Sequence, residues 1–141
     1  MGRVIEGRPL VAGEAAGEVL ATDEPLSFWG GYDPGTGEFI DRRHPLSGQM
    51  GAGKVLVIPS TRGSSTTSAV LLEAIRAETA PAAILTAGAD TFLALASIVA
   101  DEMYRRPLPI IALSESDFAT IRTGDSVRVE ADGRILVEPR R

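Results

Sequence analysis

The residues best suited to chemistry stand together just after a short apolar stretch. Arg62 supplies a cation, Gly63 allows close approach of the backbone, and Ser64 and Ser65 supply hydroxyl groups. A helical apolar pattern follows, so these groups and free backbone N–H groups should lie at a helix N-terminus, where an anion is stabilised. The segment predicts a carboxylate or phosphate site. A simpler interpretation stays open, in which either serine only caps the helix.

The elements on either side of this segment should fix its position. Residues 54–58 read KVLVI, an apolar, β-branched strand suited to a sheet covered on both faces, and Pro59 ends it. Val70, Leu71, Leu72 and Ile75 then give a helix beginning near Thr66 its apolar stripe. The predicted site therefore sits between the end of a buried strand and the start of a helix.

The rest of the chain predicts an α/β fold with β-rich ends. Further strands are expected over Ala82–Thr86 and Leu108–Leu113, with a helix from Thr91 to about Tyr104 between them. This order gives a central parallel βαβαβ unit with right-handed crossovers. Glycine-rich short strands precede it up to Met50, and a hairpin around Asp132-Gly133 follows it within Asp125–Glu138. We find no repeat or linker, so one domain over 1–141 is expected.

Composition excludes several classes of function. The chain has 141 residues, a net charge of −5 and no cysteine, which excludes disulfides, thiolate zinc sites and a self-ligated iron–sulfur cluster. An acidic balance with few clustered arginines argues against nucleic-acid binding. The longest apolar run, Phe92–Ala100, is too short to span a bilayer, and the N-terminus shows no signal pattern. These features predict a cytoplasmic protein without membrane partners.

One segment resembles a nucleotide-binding loop in spacing but not in residue types or position. Residues 48–54 read GQMGAGK, which fits the spacing of a phosphate-binding loop. Val55 occupies the position of the magnesium-ligating Ser or Thr, and the segment precedes a strand, whereas the genuine motif follows one. We interpret it as a glycine-rich turn.

Two other sites admit both a structural and a functional interpretation. The lone His44 cannot build a metal site by itself, but Pro45 restricts it to an extended conformation, so it could be a fixed contact to a ligand or partner. Phe28 and Trp29, which follow Ser27 and precede two glycines, could equally be core residues or interface anchors.

Three motifs together carry a resemblance to a known family. They are SFWGG at 27–31, TGEFIDRRHPLSG at 36–48 and GKVLVIPSTRGSS at 53–65. In order and approximate spacing they resemble the small subunit of the aconitase X family, over nearly the whole chain. The resemblance implies a swivelling β/β/α domain that works with a larger subunit carrying the iron or iron–sulfur cofactor, while this chain binds none.

The resemblance also implies an activity and site residues. The family consists of hydro-lyases acting on cis-3-hydroxy-L-proline or phosphomevalonate, and the arginine-rich, lysine-poor composition favours hydroxyproline. By resemblance, Ser64 is the base that takes a proton from carbon, because the aconitase swivel motif uses the serine directly after glycine. Candidate substrate contacts are Arg62, Gly63, Ser65, His44 and Ser27.

A serine base requires its alkoxide to be stabilised. Loop N–H groups, the positive end of the following helix and Arg62 could do so, most strongly if a partner subunit excludes water. Arg62 could instead bind the substrate carboxylate. We therefore expect a chain that is inactive alone. Two alternatives remain: a non-catalytic interaction module in which Ser64 is only a cap, and a phosphate-carrier domain using an accessible His44.

Overall fold

A computed structural model describes residues 2–62 and 66–140. The described residues form ten strands and three helices. The strands are β1 (Arg3–Glu6), β2 (Arg8–Val11), β3 (Ala15–Ala21), β4 (Tyr32–Asp33), β5 (Glu38–Phe39), β6 (Val55–Ile58), β7 (Ala83–Ala87), β8 (Ile110–Leu113), β9 (Ser126–Val129) and β10 (Arg134–Glu138). The helices are α1 (Thr66–Arg76), α2 (Thr91–Tyr104) and α3 (Glu115–Phe118).

Eight strands make one sheet in the order β1-β10-β9-β3-β6-β7-β8-β2. Its centre, β3-β6-β7-β8, is parallel, and α1 and α2 form the connections between β6, β7 and β8. This arrangement confirms the predicted βαβαβ unit. The predicted hairpin is also confirmed, since β9 and β10 pair antiparallel on either side of Asp132 and Gly133.

The two long helices cover one face of the parallel strands. Leu56 and Ile58 of β6 share a buried cluster with Leu71 of α1 and Leu93 of α2. Alternate residues of β6 point the other way, because successive side chains of a strand lie on opposite faces. Val55 and Val57 accordingly pack in a second cluster with residues of β1, β9 and β10. The predicted β/β/α architecture is confirmed.

Strand β3 belongs to both β layers, the one that contains β1, β9 and β10 and the one that contains β6, β7 and β8. Ala15–Glu18 pairs antiparallel with β9, and Val19–Ala21 pairs parallel with β6. Gly17 lies at this passage, where an added Cβ would approach the carbonyl oxygen of Gly53 to 2.8 Å. The close approach of two backbones therefore requires glycine here.

A bend at Gly7 nearly closes the sheet into a barrel. This residue alone separates β1 from β2, which stand at opposite ends of the strand order. Its N–H donates to the carbonyl oxygen of Gly133 at 3.1 Å, and an added Cβ would clash with Ile111 Cγ2. At Gly7 the chain therefore passes from β1, which pairs with β10, to β2, which pairs with β8.

The long connection between β3 and β6 lies outside the main sheet and packs beside α1. Its hairpin, β4 and β5, packs the ring of Tyr32 between those of Phe28 and Phe39, at centroid distances of 5.4 and 5.0 Å. The Tyr32 hydroxyl donates to the carbonyl oxygen of Thr79 at 2.6 Å, and Thr79 Oγ1 donates to the Pro34 carbonyl at 2.6 Å. The turn of the hairpin is therefore fixed to the C-terminal end of α1.

Element boundaries differ slightly from the predictions. The last parallel strand was expected from Leu108, but β8 begins at Ile110. The reason is that the Leu108 carbonyl and N–H bond to the Ser97 hydroxyl, at 2.6 and 2.7 Å, and so do not join a strand ladder. Within residues 2–62 and 66–140, no helix has the length and apolar character needed to cross a membrane.

Candidate functional site

The residues that flank the predicted site lie at the C-terminal edge of the parallel strands. Strand β6 ends at Ile58 and α1 begins at Thr66, and ligands of open α/β sheets bind at this edge. Gly63, Ser64 and Ser65 lie outside the described residues, so their predicted roles stay predictions. The residues on either side of them are described and define the surroundings of the site.

The chain just before this segment forms an additional pairing beyond the ends of β3 and β6. Leu26 and Thr61 form an isolated parallel bridge, in which the Leu26 N–H donates to the Ser60 carbonyl at 3.2 Å and the Arg62 N–H donates to the Leu26 carbonyl at 2.9 Å. Ser27 and Arg62 each follow one member of this bridge. The fold thus brings these two predicted site residues together at the same edge.

The two side chains are placed differently. Ser27 is half-buried, and its hydroxyl donates to the carbonyl oxygen of Trp29 at 3.0 Å, so it is engaged within its own turn. Arg62 is exposed at the edge. A guanidinium in this place can meet a carboxylate or phosphate that arrives from solvent.

A buried carboxylate that sequence reasoning missed stands next to the site. Asp90 is 8% exposed and accepts four hydrogen bonds. Its Oδ2 accepts from the N–H and the hydroxyl of Thr61, at 2.8 and 2.7 Å, and its Oδ1 accepts from the N–H groups of Phe92 and Leu93, at 3.1 and 3.2 Å. An Asp directly before a predicted helix is a recognisable N-cap signal. The bond to Thr61 is not visible in sequence.

His44 is buried, with 9% exposure, and uses only one of its ring nitrogens. Nδ1 accepts a hydrogen bond from the Leu46 N–H at 3.1 Å, so that nitrogen carries no proton. Nε2 is therefore the protonated nitrogen, and it has no partner among the described residues. Because a phosphate-carrier domain needs an accessible imidazole, this burial contradicts the phosphohistidine alternative.

The loop that carries His44 leaves the β4–β5 hairpin at the end opposite to its turn. Leu46, two residues after His44, packs in the same buried cluster as Leu71 of α1. No hydrogen bond among the described residues joins His44 to Arg62 or Ser27 directly.

The start of α1 favours an anion. The helix has 11 residues and no acidic residue in its first turn, so nearby carboxylates do not offset its positive end. The short helix α3, by contrast, has Glu115 and Asp117 in its first turn. This electrostatic setting is consistent with the anion site predicted from the sequence.

The glycine-rich stretch before β6 is the turn that the sequence predicted. Gly48 and Gly53 have positive φ angles of 84° and 74°. Lys54, which would be the phosphate-binding lysine of a nucleotide loop, instead lies 3.7 Å from the carboxylate of Glu18. The segment leads directly into strand β6, whereas a nucleotide-binding loop leads directly into a helix.

Metal ligands do not gather in the described part of the chain. No group of three or more His, Asp or Glu side chains there is arranged to hold an ion, and the sequence contains no cysteine. The residues that the structure describes therefore do not fit an iron or iron–sulfur group.

Two large apolar side chains are exposed on either side of the site. Trp29, three residues after Leu26, is 68% exposed, and Phe92, two residues after Asp90, is 40% exposed. Phe28, in contrast, is fully buried. The two interpretations of the Phe-Trp pair are thus divided between its members, with Phe28 in the core and Trp29 available for an interface.

The β/β/α layers, with a loop of hydroxyl residues between β6 and α1, define the class of swivel domains in aconitase-type proteins. The family model of the aconitase X swivel domain matches residues 4–137, and the chain belongs to this family. The crystal structure of aconitase X from Thermococcus kodakaraensis, in its holo-form, superposes with a TM-score of 0.86 at 36% identity, covering 97% of this chain and 99% of that one.

Named relatives fall into two groups. A cis-3-hydroxy-L-proline dehydratase of Pseudomonas aeruginosa is 51% identical over 132 residues, which is 94% of this chain and 22% of the relative. A phosphomevalonate dehydratase small subunit of Methanothermobacter thermautotrophicus is 40% identical, over 91% of this chain and 92% of the relative. The chain thus spans about a fifth of the length of the hydroxyproline relatives, at 22% and 21%.

Proposed function

We propose that this chain is the small subunit of a hydro-lyase that dehydrates cis-3-hydroxy-L-proline, and that Ser64 is its base. The observation that carries the proposal is the family match over residues 4–137, supported by the end of β6 and the start of α1, which flank the Ser64 segment in the chain. Hydro-lyase activity in the named relatives supports the reaction class.

The proposed reaction removes one water molecule from the substrate. The carbon between the ring nitrogen and the hydroxyl-bearing carbon carries the carboxylate, which makes its hydrogen the most acidic C–H of the ring. The Ser64 alkoxide takes this proton, the C–H electron pair forms the new C=C bond, and the C–O bond to the neighbouring hydroxyl breaks. The leaving hydroxide combines with the proton that Ser64 released when its alkoxide formed, and Ser64 ends the step protonated, so the net change is the loss of one water molecule.

Stabilisation of the alkoxide is the task of the surrounding residues. The positive end of α1, without acidic residues in its first turn, favours a negative charge at the segment that enters it. Arg62 is exposed at the same edge and adds a second positive charge. It either helps to stabilise the alkoxide or binds the substrate carboxylate. Gly63 and Ser65 provide backbone and hydroxyl contacts beside Ser64.

His44 and Ser27 complete the proposed substrate contacts. The Nε2–H of His44 is a buried donor without a described partner, and leaving such a donor unpaired costs about 1–3 kcal/mol. A substrate carboxylate or hydroxyl would satisfy it only when the loop around His44 opens to admit it, because the imidazole is buried. The Ser27 hydroxyl already donates to Trp29, so it can act only as an acceptor unless that bond is broken.

Activity in this proposal requires a larger partner subunit. Among residues 2–62 and 66–140 there is no ligand set for the iron or iron–sulfur group that the family implies, so that group and its chemistry are assigned to the partner. The exposed Trp29 and Phe92 beside the site support an assembly that covers it, because exposed aromatic residues are favoured interface anchors. Covering the site would also exclude water and strengthen its electrostatic interactions.

The choice of substrate rests on similarity. Identity to the Pseudomonas hydroxyproline dehydratase is 51%, compared with 40% to the Methanothermobacter phosphomevalonate small subunit. Phosphomevalonate dehydratase is the second candidate, supported by the match over 92% of that small subunit. A phosphorylated substrate would need cations in addition to Arg62. Arg42 and Arg43, both exposed, could supply them.

The test is to purify the chain with its large partner and to measure turnover of both substrates. We expect turnover of cis-3-hydroxy-L-proline, and Ser64→Ala should lower kcat by about 10²–10⁴-fold, the usual contribution of a positioned base. Ser65→Ala should lower it less, and Ser116→Ala, on the exposed face of α3, should not change it. Undiminished turnover in the Ser64 variant would favour the non-catalytic module instead.

A further inference from the structure

The first turn of α2 contacts the chain on both sides of the Ser64 segment. On the strand side, Asp90 Oδ2 accepts from the N–H and hydroxyl of Thr61, at 2.8 and 2.7 Å. On the helix side, the Ser68 hydroxyl donates to the carbonyl oxygen of Phe92 at 3.1 Å. The residues that lead into and out of positions 63–65 are thus both tied to residues 90–92.

Asp90 is the residue that joins these contacts into one unit. Its second oxygen, Oδ1, accepts from the N–H groups of Phe92 and Leu93 and so fixes the carboxylate to the helix. With 8% exposure, the carboxylate is held by four hydrogen bonds from the chain. A shift of Asp90 would therefore move Thr61 and the backbone that follows it.

The edge of the sheet contributes a third fixed point. The Arg62 N–H donates to the Leu26 carbonyl at 2.9 Å, directly after the Thr61 bond to Asp90. Thr61 is held from α2 and Arg62 from the segment after β3, so the backbone is fixed on two sides up to Arg62. Such double anchoring supports a reacting group that has to be positioned to within a fraction of an ångström.

We infer that Asp90 is a positioning residue for the dehydration, acting through Thr61 on the segment that carries Ser64. The inference rests on the proposed function of Ser64 and extends it to a residue that would touch neither substrate nor metal. Asp90 sets where the base stands, and substrate affinity depends on other groups. Disturbing Asp90 should accordingly lower kcat and leave KM nearly unchanged.

Two substitutions in the assembled enzyme test this role. Asp90→Asn replaces one acceptor oxygen by an NH₂ donor, which must then face donors on Thr61 or on the first turn of α2. Thr61→Val removes only the hydroxyl donor at nearly constant shape, and Thr61→Ser restores it. We expect kcat to fall between about ten- and a hundredfold in the first two variants, as for a misplaced catalytic group, and to recover in the third.

Asp125 provides a matched control. It is equally buried, at 6% exposure, and its carboxylate also accepts backbone N–H groups, those of Arg122 at 2.9 Å and Arg140 at 3.0 Å. These partners lie in the turn before β9 and after β10. Asp125→Asn should therefore reduce stability as Asp90→Asn does, without lowering kcat in the folded assembly.

Backbone hydrogen exchange gives a second measurement that is independent of turnover. In Asp90→Asn the Thr61, Phe92 and Leu93 amides should exchange faster than in the parent, while amides of β9 and β10 should not change. If Asp90→Asn and Thr61→Val match Asp125→Asn in kcat, the inference is wrong even though Ser64→Ala is inactive. If Ser64→Ala retains turnover, the proposed function itself fails, and the two failures are distinguished.

Discussion

The carboxylate of Asp90 accepts both the N–H and the hydroxyl of Thr61, a residue that precedes it by 29 positions. Thr61 follows β6 and Asp90 follows β7, so this pair joins the C-terminal ends of two neighbouring parallel strands. The segment with the proposed base begins immediately after Thr61 and Arg62. The position at which this segment begins is therefore set by a tertiary contact. The local sequence determines only which residue types stand there.

His44→Asn should separate the two functions of the imidazole. The asparagine amide oxygen can still accept the Leu46 N–H, whereas the buried donor at Nε2 is lost. We expect kcat/KM of the assembled enzyme to fall by about tenfold or more, as one hydrogen bond to a charged group contributes about 1.5–3 kcal/mol.

Thermal unfolding of the His44→Asn variant provides the control for this prediction. Since the bond to Leu46 is retained, the melting temperature should stay close to that of the parent. His44→Gln, which places an NH₂ donor nearer to the Nε2 position, should recover part of the activity. Unchanged kcat/KM in His44→Asn would show that His44 is only a structural residue.

Trp29→Ala should weaken binding to the large subunit. The side chain is 68% exposed beside the site, and truncation of an aromatic interface anchor typically costs about 2 kcal/mol, which corresponds to roughly thirtyfold in Kd. Titration calorimetry of the two subunits measures the change. Met103→Ala is the matched control, because this residue is 60% exposed but lies in the last turn of α2, at the far end from Asp90.

Tyr32→Phe should change how stability depends on alkaline pH. Burial raises the pKa of the Tyr32 phenol above its ordinary value. The folded state thus keeps this proton after the unfolded chain, with a pKa of about 10, has begun to lose it. Stability from this group is fully present below pH about 10 and declines as the pH rises further.

Urea unfolding at pH 8 and pH 11 compares the two proteins. The loss of stability between these values should be smaller in Tyr32→Phe than in the parent. At the lower pH the variant should be less stable by about 1 kcal/mol, because the Thr79 carbonyl loses its donor at 2.6 Å. An identical pH dependence in both proteins would contradict the assignment to Tyr32.

Ser97→Ala should destabilise the chain although the change is small. Ser97 is fully buried, and its hydroxyl donates to the Leu108 carbonyl and accepts from the Leu108 N–H. Removing it leaves both backbone groups without a partner, at a cost of about 2 kcal/mol. Denaturant unfolding measures the difference. Ser116→Ala, on an exposed surface, should stay within about 0.5 kcal/mol of the parent.

Local sequence was sufficient for the elements that depend on short-range patterns. The helix predicted from Thr91 to Tyr104 has those bounds, because its apolar spacing and the residue before it define a start and a buried face. The hairpin around Asp132-Gly133 follows from turn chemistry: Gly133 has a φ of 91°. Both features depend on residues within a few positions of each other.

The candidate site could be predicted only in part. The types Arg62, Gly63, Ser64 and Ser65 indicated an anion site and, through the family resemblance, a base. The sequence did not show that His44 is buried with one ring nitrogen that has no partner among the described residues, because that depends on how its loop packs in the fold. The contact between Asp90 and Thr61 was missed for the same reason.

The sequence by itself determined the order of elements in the central βαβαβ unit, the C-terminal hairpin, the family and the residue types at the loop after β6. Apolar periodicity, turn residues and helix caps are local properties, and they require no knowledge of the partner segments. Only the tertiary structure decided that Thr61 and Asp90 meet, that Ser27 and Arg62 share an edge, and that Trp29 is exposed while Phe28 is buried. These outcomes depend on strand pairing and packing between residues distant in the chain, whose geometry no local pattern encodes.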